Sequence, residues 1–196
     1  MRTAKVIAVT GATGFVGQHL VPDLLSTGYK LRVLARTPSK LDSVWVESPN
    51  CQIIQGNLMS DLSNLVEGAD CVIHMAGLIK AKTRADFFAV NEGGSKNIAQ
   101  AAKAACVPKF IQLSSMAARE PQLSYYAASK QAGEIAARAA FGKDITILRP
   151  PAVFGPGDEA TKPIFDLIAK GKLPVAGRSR KKIELSMIYV KDLVQF

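Results

Sequence analysis

The sequence predicts a doubly wound α/β fold, a parallel β-sheet covered by helices on both faces in three αβα layers. Three observations predict it. Short runs rich in Val and Ile recur at Lys5–Thr10, Lys30–Ala35, Cys51–Gln55, Cys71–Met75, Lys109–Leu113 and Asp144–Leu148, and most are nearly continuously apolar, as strands buried on both faces are. Between them lie stretches with helical spacing, most clearly Phe87, Asn91, Gly94, Ile98, Ala101 and Ala105, three or four apart and so on one face. Strand and helix therefore alternate, the order that builds a parallel sheet.

The first strand runs at once into Gly11-Ala12-Thr13-Gly14-Phe15-Val16-Gly17, with a helix starting inside the motif. Glycines suit this junction for three reasons: a tight turn, close approach of the backbone to a pyrophosphate, and close helix-to-strand packing. The free N–H groups and the positive dipole end of that helix would hold the phosphates. A glycine triplet alone is equally a structural turn. Its place between the first strand and the first helix of an α/β pattern makes it a dinucleotide site of the Rossmann type.

The second strand ends in Ala35-Arg36, about 20 residues beyond the motif, where an acidic residue usually binds the ribose hydroxyls of NAD. A small residue followed by a guanidinium leaves room for a 2′-phosphate and offers it a fork of donors, so NADP is expected, with NAD as the alternative. An ordinary surface arginine is the plainer reading of Arg36. The fifth strand is followed by Ser114-Ser115, at the carboxyl edge of the sheet where open α/β folds bind ligands. A hydroxyl there can hydrogen-bond a reacting oxygen or simply cap the strand end.

Tyr126-Ala127-Ala128-Ser129-Lys130 opens a helix expected to run to about Gly142, and residues four apart share a helical face. A phenol with a reference pKa near 10 is a poor acid-base group at neutral pH, but a neighbouring ammonium stabilises its phenolate. Tyr126 could then exchange a proton with a substrate oxygen while Lys130 hydrogen-bonds the nicotinamide ribose; an amphipathic surface pair is the plainer reading. Tyr125 is excluded as the partner by its spacing. Past the sixth strand the composition shifts after Arg149-Pro150-Pro151: Gly155-Pro156-Gly157-Asp158 reads as a loop, Pro163–Lys170 as a shorter helix and Ile183–Val190 as strand-like. The basic run Arg178-Ser179-Arg180-Lys181-Lys182 reads as a solvated turn, since the aromatics that would stack bases in a nucleic-acid patch are missing around it.

Composition narrows the classes. With 196 residues, 48% apolar and 21% charged, the chain supports one sizeable core and is neither a disordered tail nor a fibre. No apolar run is long enough to span a bilayer, and Met1–Thr10 passes into the glycine turn instead of a cleavage site, so neither a membrane span nor a secretory signal is expected. A formal charge of +9 suits nucleic acid, membrane phosphates or a phosphate-bearing ligand without choosing among them. Cys51, Cys71 and Cys106 fit no metal-ligand spacing and cannot all pair, so buried free thiols, no metal and a cytoplasmic location are expected.

Together these residues resemble the short-chain dehydrogenase/reductase superfamily, in its extended branch, the NAD-dependent epimerase/dehydratase family. The likeness spans essentially the whole chain. It rests on Thr10 to Gly17, Gly56-Asn57-Leu58, His74-Met75-Ala76-Gly77, Asn91 with Gly94, Ser114-Ser115, Tyr126 with Lys130, and Arg149 to Asp158. It implies that Ser115, Tyr126 and Lys130 are catalytic, with Asn91 in support on the facing helix. Within the turn of Gly11, Thr13, Gly14, Phe15, Val16 and Gly17, the resemblance puts Gly14, Phe15 and Val16 on the pyrophosphate. It puts Asn57 and Leu58 on the adenine, Ala76 and Gly77 on the phosphate-ribose path, and Pro150, Ala152 and Val153 beside the nicotinamide. His74 is expected to be packed or hydrogen-bonded instead of catalytic.

Two departures stand out. Asn57 occupies a position where the family usually has Asp, which keeps an acceptor for the adenine amine and drops the charge. Ser186–Leu193 resembles the segment that precedes the main substrate lobe, so residues 1–150 are expected to be the dinucleotide-binding domain and 151–196 only the beginning of that lobe. The resemblance implies an enzyme, an NADP-dependent oxidoreductase that moves a hydride between the cofactor and a small alcohol or carbonyl. A sugar-nucleotide epimerase or dehydratase, and a non-catalytic NADP-binding sensor or assembly subunit, are the alternatives. The expected partners are a small-molecule substrate and a second copy of the chain in a homodimer, with no nucleic acid.

Overall fold

Each apolar run forms a strand in the computed structural model, which describes residues 5–172 and 185–195. Contacts divide the chain into two units, Met1–Arg149 and Pro150–Phe196. In the first unit β1 (Val6–Thr10), β2 (Lys30–Ala35), β3 (Cys51–Gln55), β4 (Cys71–His74), β5 (Phe110–Leu113) and β6 (Ile145–Leu148) form one sheet in the order β3-β2-β1-β4-β5-β6. All five pairings are parallel. Four expected end residues fall just outside the strands, and three of them, Lys5, Met75 and Lys109, still make one backbone bond to the neighbouring strand.

Successive residues of a strand point to opposite faces, and the core follows that rule. Ala8 and Val9 are both fully buried; Ala8 lies in a cluster with Val72, Ile98, Phe110 and Phe141, and Val9 in a second with Val33, Leu41 and Trp45. The helices are α1 (Phe15–Ser26), α2 (Ser43–Val46), α3 (Ser63–Val66), α4 (Arg84–Phe88), α5 (Ser95–Ala104) and α6 (Tyr125–Phe141). Thr83 and Asp86 form a reciprocal capping box that starts α4, and the Ser124 hydroxyl accepts from Ala127 N to start α6.

Between α4 and α5 the chain makes a π turn, Ala89–Gly94. The expected inward face holds through Phe87, Asn91, Gly94 and Ile98, but Ala101 and Ala105 are only half-buried, while Ser95, Ala99 and Ala102 are buried. A π turn carries extra residue per turn, so the inward face is rephased beyond it. The cysteine expectation also needs correction. All three thiols are free, but only Cys51 is buried; Cys71 is intermediate, and Cys106 is exposed because it sits in a left-handed conformation (φ 54°) just past α5, outside the core.

The second unit holds β7 (Ala152–Phe154), α7 (Lys162–Ala169), β8 (Met187–Tyr189) and α8 (Val190–Gln195), with β7 parallel to β8. Phe154 packs on Phe165 and Tyr189, with ring centroids 5.7 and 5.5 Å apart. Of the strand-like Ile183–Val190, only Met187–Tyr189 is strand, Val190 opens a helix, and Ile183 and Glu184 lie outside the described residues, as does the whole basic run Arg178–Lys182. The strand at Ala152–Phe154 is too short to show an alternation in the sequence. Among the described residues no helix is long and apolar enough to cross a membrane.

Candidate functional site

The site is built at the carboxyl edge of the sheet, where β1 and β4 are neighbours and the strand order reverses, the crevice in which open α/β folds bind ligands. Gly11 has φ 81°, and a Cβ there would lie 2.5 Å from the Ala76 nitrogen. A Cβ on Gly17 would overlap the Gly11 carbonyl oxygen, so glycine is what lets α1 sit against β1. Gly14 N donates to Gly11 O at 3.0 Å, and α1 begins at Phe15 with no side-chain cap, leaving its first N–H groups for an incoming ligand. Thr13 and Gly14 are exposed, and Phe15 and Val16 half-exposed. The uncapped N-terminus of α1 behind the exposed Thr13 and Gly14 fits a dinucleotide pyrophosphate, because its backbone N–H groups and positive dipole end face a negative charge.

Ala35 is buried at the end of β2 and Arg36 is exposed just beyond it. Asn57 is exposed, and its Oδ1 accepts from Met59 N at 2.7 Å in a local turn. Leu58 packs against Gly94, and its carbonyl accepts from Asn97 Nδ2 at 3.2 Å. After β4, Ala76 N donates to Thr10 Oγ1 at 3.4 Å, and Gly77 lies open on the surface, with Asn91 Oδ1 3.0 Å from where its Cβ would be.

Asn91, in the π turn, is 2% exposed and wholly engaged. Its Oδ1 accepts from Leu78 N at 2.7 Å, and its Nδ2 donates to Leu78 O at 3.0 Å and Ser129 Oγ at 2.9 Å. It therefore staples the loop after β4 to α6. Ser115 follows β5, half-buried, and its Oγ accepts from Ala117 N at 3.2 Å, which leaves the hydroxyl proton free to donate. Tyr126 lies half-buried in the first turn of α6, its ring 6.3 Å from that of Phe87, and among the described residues none hydrogen-bonds its hydroxyl. Tyr125 is 59% exposed. Lys130 is buried one turn on, donating from Nζ to Leu113 O at 2.9 Å. Burial pushes its pKa down to about 8, with Glu134 pulling the other way.

Beneath these groups lies a polar network between strands and helix. Ser95 Oγ donates to Asn91 O at 2.6 Å and so accepts from His74 Nε2 at 3.0 Å and Gln112 Nε2 at 3.2 Å. His74 Nδ1 is then the acceptor for Thr10 Oγ1 at 2.7 Å. This assignment makes His74 a neutral Nε2–H tautomer, and its pKa is pushed down to about 3, first by complete burial and then by the Lys130 charge. Gln112 Oε1 has no partner among the described residues.

The sequence reading brings Tyr126, Lys130, Asn91 and the end of β5 to one edge. It overlooks Ser129 and Glu134. Glu134 is 5% exposed, accepts a hydrogen bond from Ser114 Oγ and forms a forked ion pair with Arg149, Nε to Oε1 at 2.9 Å and Nη2 to Oε2 at 2.5 Å. The signal that could have found it is its spacing, four residues after Lys130 and eight after Tyr126, on the same helical face. Pro150, Ala152 and Val153 are half-buried in the second unit, the last two in β7.

Comparison with known proteins adds the wider relationship. The model of the NAD dependent epimerase/dehydratase family matches residues 7–196. A ceramide reductase of Caulobacter vibrioides is 45% identical over 190 residues, covering 95% of this chain and 58% of that protein. A 3 beta-hydroxysteroid dehydrogenase/Delta 5-->4-isomerase of Mycobacterium tuberculosis is 30% identical over 218 residues, covering 96% and 58%. The chain thus spans less than two thirds of the length of these relatives. Among solved structures, MoeE5 in complex with UDP-glucuronic acid and NAD superposes with a TM-score of 0.77 at 25% identity, over 98% of this chain and 70% of that one.

Proposed function

Because the chain belongs to the NAD-dependent epimerase/dehydratase family, we propose that it serves an NADP-dependent oxidoreductase interconverting a hydroxyl and a carbonyl on an apolar, lipid-like substrate. The observation that carries the chemistry is the buried Lys130 ammonium one turn beyond Tyr126, whose hydroxyl has no hydrogen-bond partner among the described residues. In the reducing direction the phenol of Tyr126 gives its proton to the substrate oxygen, and Lys130 stabilises the phenolate left behind. Ser115, whose Oγ accepts from Ala117 N, donates a hydrogen bond to the same oxygen and keeps its proton. Asn91 acts at one remove, holding the loop that carries Ala76 and Gly77 against α6. A bound nicotinamide supplies the hydride. Residues 1–150 bind the dinucleotide in this reading, and 151–196 belong to the substrate-binding part.

NADP as the cofactor is supported by Arg36, exposed beyond the buried Ala35 with no carboxylate at the ribose position. The lipid-like substrate is suggested by the ceramide and steroid enzymes among its relatives. Free thiols agree with a cytoplasmic site of action, and Ile135, 63% exposed on α6, with a homodimer through α5 and α6. A second reading, sugar-nucleotide epimerisation, is favoured by the likeness to the UDP-glucuronic acid complex and disfavoured by Arg36. The test is to titrate NADPH and NADH into the protein and into Arg36→Ala, then to follow NADPH oxidation with a 3-ketosteroid, a keto-sphingolipid and a UDP-sugar. Loss of the charge-assisted bond should weaken NADPH about ten- to a hundredfold and leave NADH unchanged. Equal affinities for both cofactors in the unmodified protein would remove NADP, and turnover of the UDP-sugar alone would select the second reading.

A further inference from the structure

Lys130 and Glu134, one helical turn apart, grip consecutive residues at the end of β5: Lys130 donates to Leu113 O at 2.9 Å, and Glu134 accepts from the Ser114 hydroxyl. The next residue is Ser115. The other side of the Glu134 carboxylate takes the Arg149 guanidinium, and Arg149 follows directly on Leu148, whose carbonyl accepts from Ser114 N at 2.7 Å. One buried carboxylate therefore ties together the ends of β5 and β6 and the helix that carries Tyr126. It pairs with Arg149, whose side chain is 40% exposed, and its charge also acts on the buried Lys130 one turn away.

We propose that Glu134 is a positioning residue of this site: it seats Ser115 through Ser114 and holds the charge on Lys130, while Arg149 sets how much of the carboxylate's field Lys130 feels. This rests on the reading in which Tyr126 and Lys130 carry proton transfer. The charged and titratable groups that act on Lys130 or feel its charge are Glu134 on its own helix and His74 from β4, with Arg149 acting through Glu134, and Tyr126 shares its helical face four residues earlier. On the other elements packed around α6, Arg84, Asp86, Lys96, Lys103, Arg119 and Glu120 are exposed and Glu92 is half-exposed, and none pairs with Lys130. Burial alone drives the ammonium towards neutrality, and Glu134 opposes it.

The two partners of the carboxylate should shift Lys130 in opposite directions, which a purely structural role would not do. In 196-residue protein carrying carbon-13-labelled lysine, the Lys130 side-chain signal is identified by its loss in Lys130→Met and titrated by NMR, with neither substrate nor cofactor present. Glu134→Gln removes the charge that opposes burial and should lower the Lys130 midpoint by about one pH unit. Arg149→Gln frees the carboxylate to act on Lys130 alone and should raise it. Glu134→Asp keeps the charge with a shorter reach, so it should hold the midpoint nearer the unmodified value while displacing the Ser115 amide signal. Arg149 is partly exposed, so its variant tests the idea even if Glu134→Gln does not fold. A midpoint unmoved or lowered in Arg149→Gln, or unmoved in Glu134→Gln, overturns the proposal. The titration involves no turnover, so inactive Tyr126 chemistry would leave this result standing, and active chemistry would not rescue it.

Discussion

The glycine turn after β1 and the first turns of α6 lie along the same edge of the sheet, yet they are built in opposite ways. The turn is made of backbone: Gly11 in a left-handed conformation, Gly17 pressed on the Gly11 carbonyl, and the bare N-terminus of α1. The α6 region is made of side chains, where Tyr126, Lys130 and Glu134 are placed by partners on β5, β6 and the π turn. A backbone site tolerates no added atom, whereas a side-chain site tolerates changes of packing but not of chemistry. Holding a ligand and reacting with it should therefore fail separately.

The largest expected effect breaks the side-chain region alone. Tyr126→Phe keeps the ring against Phe87 and deletes one hydroxyl, so turnover should fall by about 10²–10⁴ with cofactor affinity little changed. Steady-state kinetics beside a calorimetric titration of NADPH would check it, and a fully active Phe variant would deprive Tyr126 of its role. Next, Gly11→Ala breaks the backbone region. The methyl would meet the Ala76 backbone at a φ that L-residues avoid, which should cost about 2–3 kcal/mol of stability and abolish dinucleotide binding. Urea unfolding and the same titration read both consequences. Unaltered NADPH binding in this variant would mean that the cradle has been misplaced.

The buried network beneath both regions should give a smaller effect. Folded His74 is held neutral with a pKa of about 3, whereas an unfolded histidine titrates near 6.5. The unfolded chain binds the extra proton in that window. Stability present above pH 6.5 should therefore be lost as pH falls, by about 1.4 kcal/mol per unit until pH approaches 3. His74→Gln, which can donate and accept in the same places, should flatten this component of the slope. Unfolding free energies at pH 7, 6 and 5 for both proteins would show it, and parallel slopes would mean that His74 is not buried neutral.

Much of this architecture was legible from residues close together in the chain. The six strands were placed to within a residue of their ends because a strand buried on both faces is apolar almost throughout, and the turn at Gly11 because few residues other than glycine reach its conformation. The Tyr126 and Lys130 pair was legible because a helix puts residues four apart on one face. Cys106 was misjudged because apolar neighbours in sequence say nothing of which side of a helix end a side chain leaves. The inward face of α5 drifted because no local pattern announces a π turn at Asn91.

The order of layers, the phosphate turn and the residues that could carry chemistry thus follow from backbone conformation and local period. How those side chains are employed depends on contacts between distant parts of the chain. Thr10 meets His74 across 64 residues, Ser114 meets Glu134 across 20, and Asn91 clamps Leu78 across 13. Neither the protonation of a buried histidine nor the charge on a buried lysine is a property of the residue alone. Each is set by the loss of water and by which donors, acceptors and charges the fold gathers around it, most of them separated from it in the chain by whole strands or helices.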